Sequence, residues 1–277
     1  MPERRVIVPR YCIEEMKLEQ WHIWALVVVV IAIIIGLVFF NKNIEMFETK
    51  DYLEGIDVIY WINLDRSPDR RKRMKKMFKD PVFKGKKIIR ISAVDGKAPD
   101  IDQVLNANFQ GMQPEKFTKV EYACLLSHLN AIKQFSNSNS ETALIMEDDM
   151  TLEFKPYWKK SVKKIMNEAP SDWEIIQLCY ITNSGIPFEN YTKYNNGNFA
   201  SGGAYILNKK KIINNLTLLP RDISHEADHY LFSRFNTYTY KYPMFIYGTN
   251  EISTIHQNHV SGHDNSKNMI LKQFIKK

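Results

Sequence analysis

The longest uncharged stretch of the chain, Ile23 to Phe40, runs for 18 residues dominated by Val, Ile and Leu. That is close to the minimum length at which a helix spans a hydrocarbon core. Shorter apolar runs punctuate the rest of the chain. Ile56 to Leu64 is rich in β-branched and aromatic residues and predicts a first strand buried on both faces. Ser67-Pro68-Asp69 then supplies turn and N-cap chemistry for a basic helix through Met74 and Met77. Lys87 to Ile91 predicts a second strand, which ends at Ser92-Ala93-Val94-Asp95-Gly96, where Asp-Gly marks a turn before a polar connection. Apolar residues at helical spacing from Glu121 to Phe135 predict a long helix, broken at Ser136 to Ser140. Further strands are predicted at Ala143 to Met146, at Trp173 to Cys179, and at Ala204 to Leu207 after Gly202-Gly203. Strands alternating with helices specify an α/β layer sandwich.

The N-terminal run predicts a membrane anchor. It is longer than the apolar core of a secretory signal, and Phe39-Phe40-Asn41-Lys42 offers no small-residue cleavage site. Arg4, Arg5, Arg10 and Lys17 precede the run while Lys42 and Lys50 follow it, so the positive-inside rule puts the N-terminus in the cytoplasm. The expected organisation is a cytoplasmic tail (1–22), a transmembrane signal anchor (23–40), a stem (41–55) and a folded domain (56–277). This is a single-pass type II membrane protein whose domain faces a lumen or the exterior. Sequons at Asn190-Tyr191-Thr192 and Asn215-Leu216-Thr217 are compatible with that side. Three cysteines, Cys12, Cys124 and Cys179, are too few for a disulfide framework. Cys124 and Cys179 read as buried thiols, with a single bridge between them as the alternative.

A composition of 44% hydrophobic and 12% aromatic residues excludes a disordered chain. The net charge of +7 is concentrated: Arg66 to Arg90 holds twelve Lys or Arg against Asp69 and Asp80. Such a block suits a solvated basic helix, anionic headgroups or a nucleotide diphosphate. Nucleic acid comes last, because no aromatic residues alternate with the charges to form a stacking platform.

Candidate chemistry centres on Glu147-Asp148-Asp149, directly after the apolar run ending at Met146. Open α/β sheets place their ligands at the carboxyl ends of strands. Hard cations such as Mn²⁺ or Mg²⁺ take one or two carboxylates, water and substrate phosphates. The same acidic step also suits a solvated turn or a helix N-cap.

Five stretches, in order, resemble glycosyltransferase family 25, the lipopolysaccharide and procollagen glycosyltransferases. They are Tyr60 to Arg71, Ile91 to Gly96, Ser127-His128-Leu129-Asn130-Ala131, Ala143 to Asp149 and Gly203-Ala204-Tyr205-Ile206. The resemblance covers roughly residues 56 to 260. It implies a GT-A-type, Rossmann-like nucleotide-sugar-binding domain. The implied reaction moves a hexose, galactose or glucose, from a UDP-sugar to a glycan, glycoprotein or glycolipid hydroxyl with inversion. It also implies Mn²⁺ or Mg²⁺ held by Asp148 and Asp149, with Glu147 orienting them. Donor contacts fall to Asn63, Arg66, Arg70, Ser92, Asp95, Ser127, His128 and Gly203, although Asp95 also reads as an ordinary turn aspartate and His128 as a core or capping residue. In His225-Glu226-Ala227-Asp228-His229, Asp228 is the candidate general base and Glu226 its reserve. His256, His259 and His263 lie three and four residues apart, and His256 is the candidate to complete the metal shell; zinc or a polar loop are the alternatives. The chain is short for the collagen-modifying members, and bacterial members generally lack an anchor. A phosphohydrolase of nucleotide-diphosphate sugars and a tethered, inactive binding module are the rival readings.

Overall fold

The computed structural model describes residues 22–36, 51–110, 112–113, 115–183, 185–195, 198–213, 226–248 and 260–275. Two compact units divide the chain, Met1–Lys50 and Asp51–Lys277. In the first, residues 22–36 form helix α1, with Trp24 68% exposed. No helix among the described residues is long and apolar enough to cross a membrane. Helix α1 overlaps the expected span, whose residues 37–40 lie outside the described residues with the first part of the stem.

The second unit is a mixed α/β fold. A seven-stranded sheet has the order β2-β1-β3-β7-β5-β8-β6, formed by β1 (Val58–Asn63), β2 (Lys87–Ser92), β3 (Thr142–Glu147), β5 (Ile175–Gln177), β6 (Tyr191–Lys193), β7 (Ala204–Asn208) and β8 (Thr237–Tyr240). β4 (Met150–Thr151) and β9 (Ile246–Tyr247) pair separately and antiparallel. The three strands that carry the expected motifs are parallel neighbours: β1 pairs with β2 from Val58↔Lys87 to Asn63↔Ser92, and with β3 from Val58↔Ala143 to Ile62↔Glu147. Beyond β3 the sheet becomes mixed, because β7 runs antiparallel to both β3 and β5.

Every residue of β1 is buried, as the unbroken apolar run Val58 to Ile62 requires; Asn63 is the one polar residue. Period-2 alternation sends its side chains into two cores. Ile59 and Trp61 join Leu144, Met146 and Ile206 on one face, while Val58, Tyr60 and Ile62 join Ala143, Ile145 and Tyr205 on the other. Helix α2 (Pro68–Met77), through Met74, α5 (Val162–Glu168) and α8 (Val260–Ile275) cover the first face. Helices α3 (Ile101–Asn108), α4 (Lys119–Ser136) and α7 (Ala227–Arg234) cover the second, and α6 (Lys209–Ile212) follows β7.

The expected strands and the two expected helices occur with boundaries moved by a few residues. The connection expected to be polar contains α3, which buries Ile101 and Leu105 one turn apart. Cys124 and Cys179 are both free thiols, so the alternative of a bridge between them is not realised.

Candidate functional site

A cleft opens where β1, β2 and β3 end. Its walls come from Ile62 to Leu64 at the end of β1, Arg66 and Arg70, Ala93, Val94 and Gly96 after β2, Glu147 to Asp149 at the end of β3, and the first turns of α4.

Local sequence holds α4 against the loop after β2. Thr118 Oγ1 accepts from the Glu121 N–H at 3.3 Å while Glu121 Oε2 accepts from the Thr118 N–H at 2.6 Å, a reciprocal capping box. Gly96 lies so close to the helix start that a Cβ would sit 2.5 Å from the Val120 Cα, so only glycine fits. One turn on, buried Ser127 donates to the Ala123 carbonyl at 2.7 Å and accepts from the Val94 N–H at 2.9 Å.

The acidic step is organised by arginine. Arg70 donates from Nη1 to Asp148 Oδ1 at 2.6 Å and from Nη2 to Asp149 Oδ2 at 3.1 Å, bridging the two carboxylates. Asp148 is buried, and its second oxygen accepts from Asn63 Nδ2 at 2.6 Å. Asn63 is itself 1% exposed; its amide oxygen accepts from Arg71 Nε at 3.1 Å and Arg90 Nε at 3.0 Å. At the rim Arg66 Nε donates to Asp95 Oδ2 at 2.6 Å. Burial raises the Asp95 carboxyl, but the Arg66 bond and charge and the Lys97 N–H outweigh it and hold it below the usual carboxylate range. Asp65 accepts from Ser92 Oγ at 2.6 Å and from Arg90, and these bonds lower its pKa.

On the cleft floor His128 connects two elements: its Nδ1 is 3.0 Å from the Tyr205 hydroxyl and its Nε2 is 3.1 Å from Glu147 Oε1. Burial pushes the Glu147 carboxyl up; the hydrogen bond and charge of His128 and the charge of Arg70 push it down, and the net shift is downward. Burial drives the Cys124 thiol well above its ordinary value, helped by the charges of Glu147 and Asp228. Behind the histidine, Ser201 holds φ at +101°, a left-handed conformation costly for a residue with a side chain. Asp228 Oδ2 accepting the Ser201 N–H at 2.6 Å and Gln177 Nε2 donating to the Ser201 carbonyl at 2.9 Å keep it there.

Of the residues expected at a site, Asn63, Arg66, Arg70, Ser127, His128, Asp148 and Asp149 line one cleft. Asp95 is tied to its rim through Arg66, and Ser92 sits one step back, bonded to Asp65. Gly203 packs against Met150, where a Cβ would approach the methionine Cε to 2.6 Å. Asp228 accepts the N–H groups of Ser201 and His229. Glu226 is exposed at the N-cap of α7. His256, His259, His225 and the Asn215 sequon lie outside the described residues, and the His263 ring packs on Tyr247 with centroids 4.5 Å apart. Expectation passed over Cys124 and Tyr205 as site groups, and Arg71 and Arg90 as the partners of Asn63.

A family model described as Glycosyltransferase family 25 (LPS biosynthesis protein) matches residues 56–231, well over half of the chain and every wall of the cleft. The chain belongs to glycosyltransferase family 25. Among its relatives, procollagen galactosyltransferase 2 of Homo sapiens is 32% identical over 134 residues, covering 45% of this chain and 21% of the relative. A glycosyltransferase 25 family member of Drosophila melanogaster is 28% identical over 137 residues, covering 47% and 21%. The chain thus spans about a fifth of the length of these family 25 relatives. Among solved structures, a glycosyltransferase involved in the glycosylation of the major capsid of PBCV-1 aligns with 76% of this chain and 98% of its own. Its identity is 8% and its TM-score 0.39, too loose a likeness to carry an argument.

Proposed function

We propose that this family 25 chain transfers a hexose, galactose or glucose, from a UDP-sugar to a hydroxyl of a glycan, glycoprotein or glycolipid. The observation that carries the reading is the pair Asp148 and Asp149 at the carboxyl end of β3, bridged by Arg70 in the cleft beyond the parallel strands. The parallel β1, β2 and β3, with the cleft outside their carboxyl ends, support a GT-A-type, Rossmann-like domain. Sharing a family with a human procollagen galactosyltransferase favours galactose.

In this reading the donor diphosphate lies against Arg66 and Arg70, with the nucleoside towards the Arg66–Asp95 pair at the rim. The carboxylates already bind a cation in the form of the Arg70 guanidinium, and two carboxylates suit Mn²⁺ or Mg²⁺. When bound there, such an ion neutralises charge on the departing diphosphate. Inversion needs one displacement: the acceptor oxygen bonds to the anomeric carbon, the bond from that carbon to the diphosphate oxygen breaks, and the hydroxyl proton passes to a base. Asp228 is the proposed base; its carboxylate accepts the Ser201 and His229 N–H groups. Glu226 remains the reserve.

A panel of UDP-sugars, with Mn²⁺ or EDTA, tests the reaction through UDP release by the purified chain. Mn²⁺-dependent UDP release from one sugar is expected. UMP and sugar phosphate as products would indicate a phosphohydrolase, and tight UDP binding without turnover an inactive binding module; either overturns the proposal.

The reading extends to location. The uncharged run Ile23 to Phe40 supports a type II anchor that holds the domain on the lumenal or outer side. The full chain is then expected to stay with membranes in alkaline carbonate. Recovery in the supernatant would overturn the anchor.

A further inference from the structure

The floor of the cleft carries a second set of ligand atoms beside the Asp148 and Asp149 pair. Cys124 and His128 stand one turn apart on α4, which puts both side chains on one face of the helix. Glu147 meets them from the end of β3. Cys124 Sγ, a His128 ring nitrogen and a Glu147 carboxylate oxygen lie within 4.8 Å of one another. Bonds of about 2.0–2.3 Å in a tetrahedral shell separate ligand atoms by about 3.3–3.8 Å. Side-chain movements of about 1 Å close the difference.

The surroundings point the same way. Fully buried Tyr205 holds Nδ1 of His128 at 3.0 Å, which turns Nε2 towards Glu147. Ligating imidazoles are oriented in this manner, by a partner on the nitrogen that does not bind the metal. At Gly202 a Cβ would approach His128 Cε1 to 3.2 Å and Glu147 Oε1 to 3.4 Å, so glycine leaves both ligands room to shift. All three residues line the cleft.

We infer that Cys124, His128 and Glu147 form a binding site for a thiophilic divalent cation of the Zn²⁺ class, distinct from the carboxylate pair Asp148 and Asp149. The ligand chemistry separates the two. Thiolate and imidazole select zinc-like ions, whereas paired carboxylates suit Mn²⁺ and Mg²⁺. Binding exchanges one bond for another without redox change: the thiol proton leaves to solvent and a sulfur–metal bond forms. The site stands independently of the transfer reaction, because it rests on ligand geometry alone.

Co²⁺, a spectroscopic stand-in for Zn²⁺, tests the site in the full chain. One equivalent is expected to give a thiolate-to-metal charge-transfer band that one equivalent of Zn²⁺ abolishes and excess Mg²⁺ leaves in place. The band is expected to persist in Cys12→Ser/Cys179→Ser, which keeps Cys124 as its sole cysteine, and to vanish in Cys124→Ser with the circular dichroism unchanged. Tyr205→Phe, which removes the partner of Nδ1, is expected to weaken binding by about 10- to 100-fold. No band in the unaltered chain would overturn the site however the variants fold. So would a band of equal strength in Cys124→Ser.

Discussion

Alanine at Asp149 is expected to lower Mn²⁺-dependent release of UDP by about a hundredfold or more, with the melting temperature nearly unchanged. A divalent ion at a departing diphosphate supplies several kcal/mol of charge stabilisation, and each 1.4 kcal/mol or so is a tenfold change in rate. Removing one of two carboxylates forfeits much of that. Asp149 is the better test of the pair because its side chain is 21% exposed, against 8% for Asp148. Asp148 also anchors Asn63 and Arg70, so its loss would unsettle the fold as well as the chemistry. Arg70 keeps its shorter bond, to Asp148 at 2.6 Å, when Asp149 is replaced. Steady-state UDP release with Mn²⁺ and with EDTA, alongside a melt followed by circular dichroism, reads both quantities. Full activity in Asp149→Ala would remove the carboxylate pair from the mechanism, while a collapsed melt would make Asp149 a structural residue instead.

What could be read from sequence divides along a physical line. β1, β3 and α4 were legible because burial on both faces or along a stripe writes itself into consecutive residues: Val58 to Ile62, Ala143 to Met146, and Tyr122, Leu125, Leu126 and Ile132. The acidic step was legible for the same reason, since it interrupts such a run. Helix α3 also carried a signal, Ile101, Leu105 and Phe109 at intervals of four, but the polar residues between them hid it. Thr237-Tyr238-Thr239-Tyr240 has the β-branched and aromatic composition of a strand, and it forms β8.

Pairings between distant segments were not legible. No local pattern states that β7 inserts antiparallel between β3 and β5, or that Tyr205 on it reaches His128. Cys124 and His128 look like core positions of an amphipathic helix until Glu147 arrives from another element. Asp228 was expected from the family resemblance of the acidic position ahead of a helix, while its bond to the strained Ser201 backbone depends on a turn 27 residues away in sequence.

Asn63 shows how far the difference reaches, and replacing it by leucine is expected to cost about 3 kcal/mol of stability. From sequence it is a polar residue closing a strand, suited to touching a ligand. In the structure its amide is a hub: it donates to Asp148 at 2.6 Å and the Ser67 carbonyl at 3.3 Å, and accepts from Arg71 and Arg90. Leucine has a similar volume and none of these groups, so it leaves a buried carboxylate and two guanidinium groups short of a partner. A buried polar group left unsatisfied costs about 1–3 kcal/mol, more if charged. Arg71 and Arg90 keep 29% and 24% side-chain exposure, so water recovers part of the cost there, and Asp148 bears most of it. For a domain of this size the loss corresponds to a fall of about 6–12 °C in melting temperature. Because Asp148 loses its Asn63 partner and keeps Arg70, Mn²⁺-dependent UDP release should fall in the same variant, well below the temperature at which it melts. A melting point within about 2 °C of the parent would show that the arginines and Asp148 find other partners, and that the hub contributes geometry rather than stability.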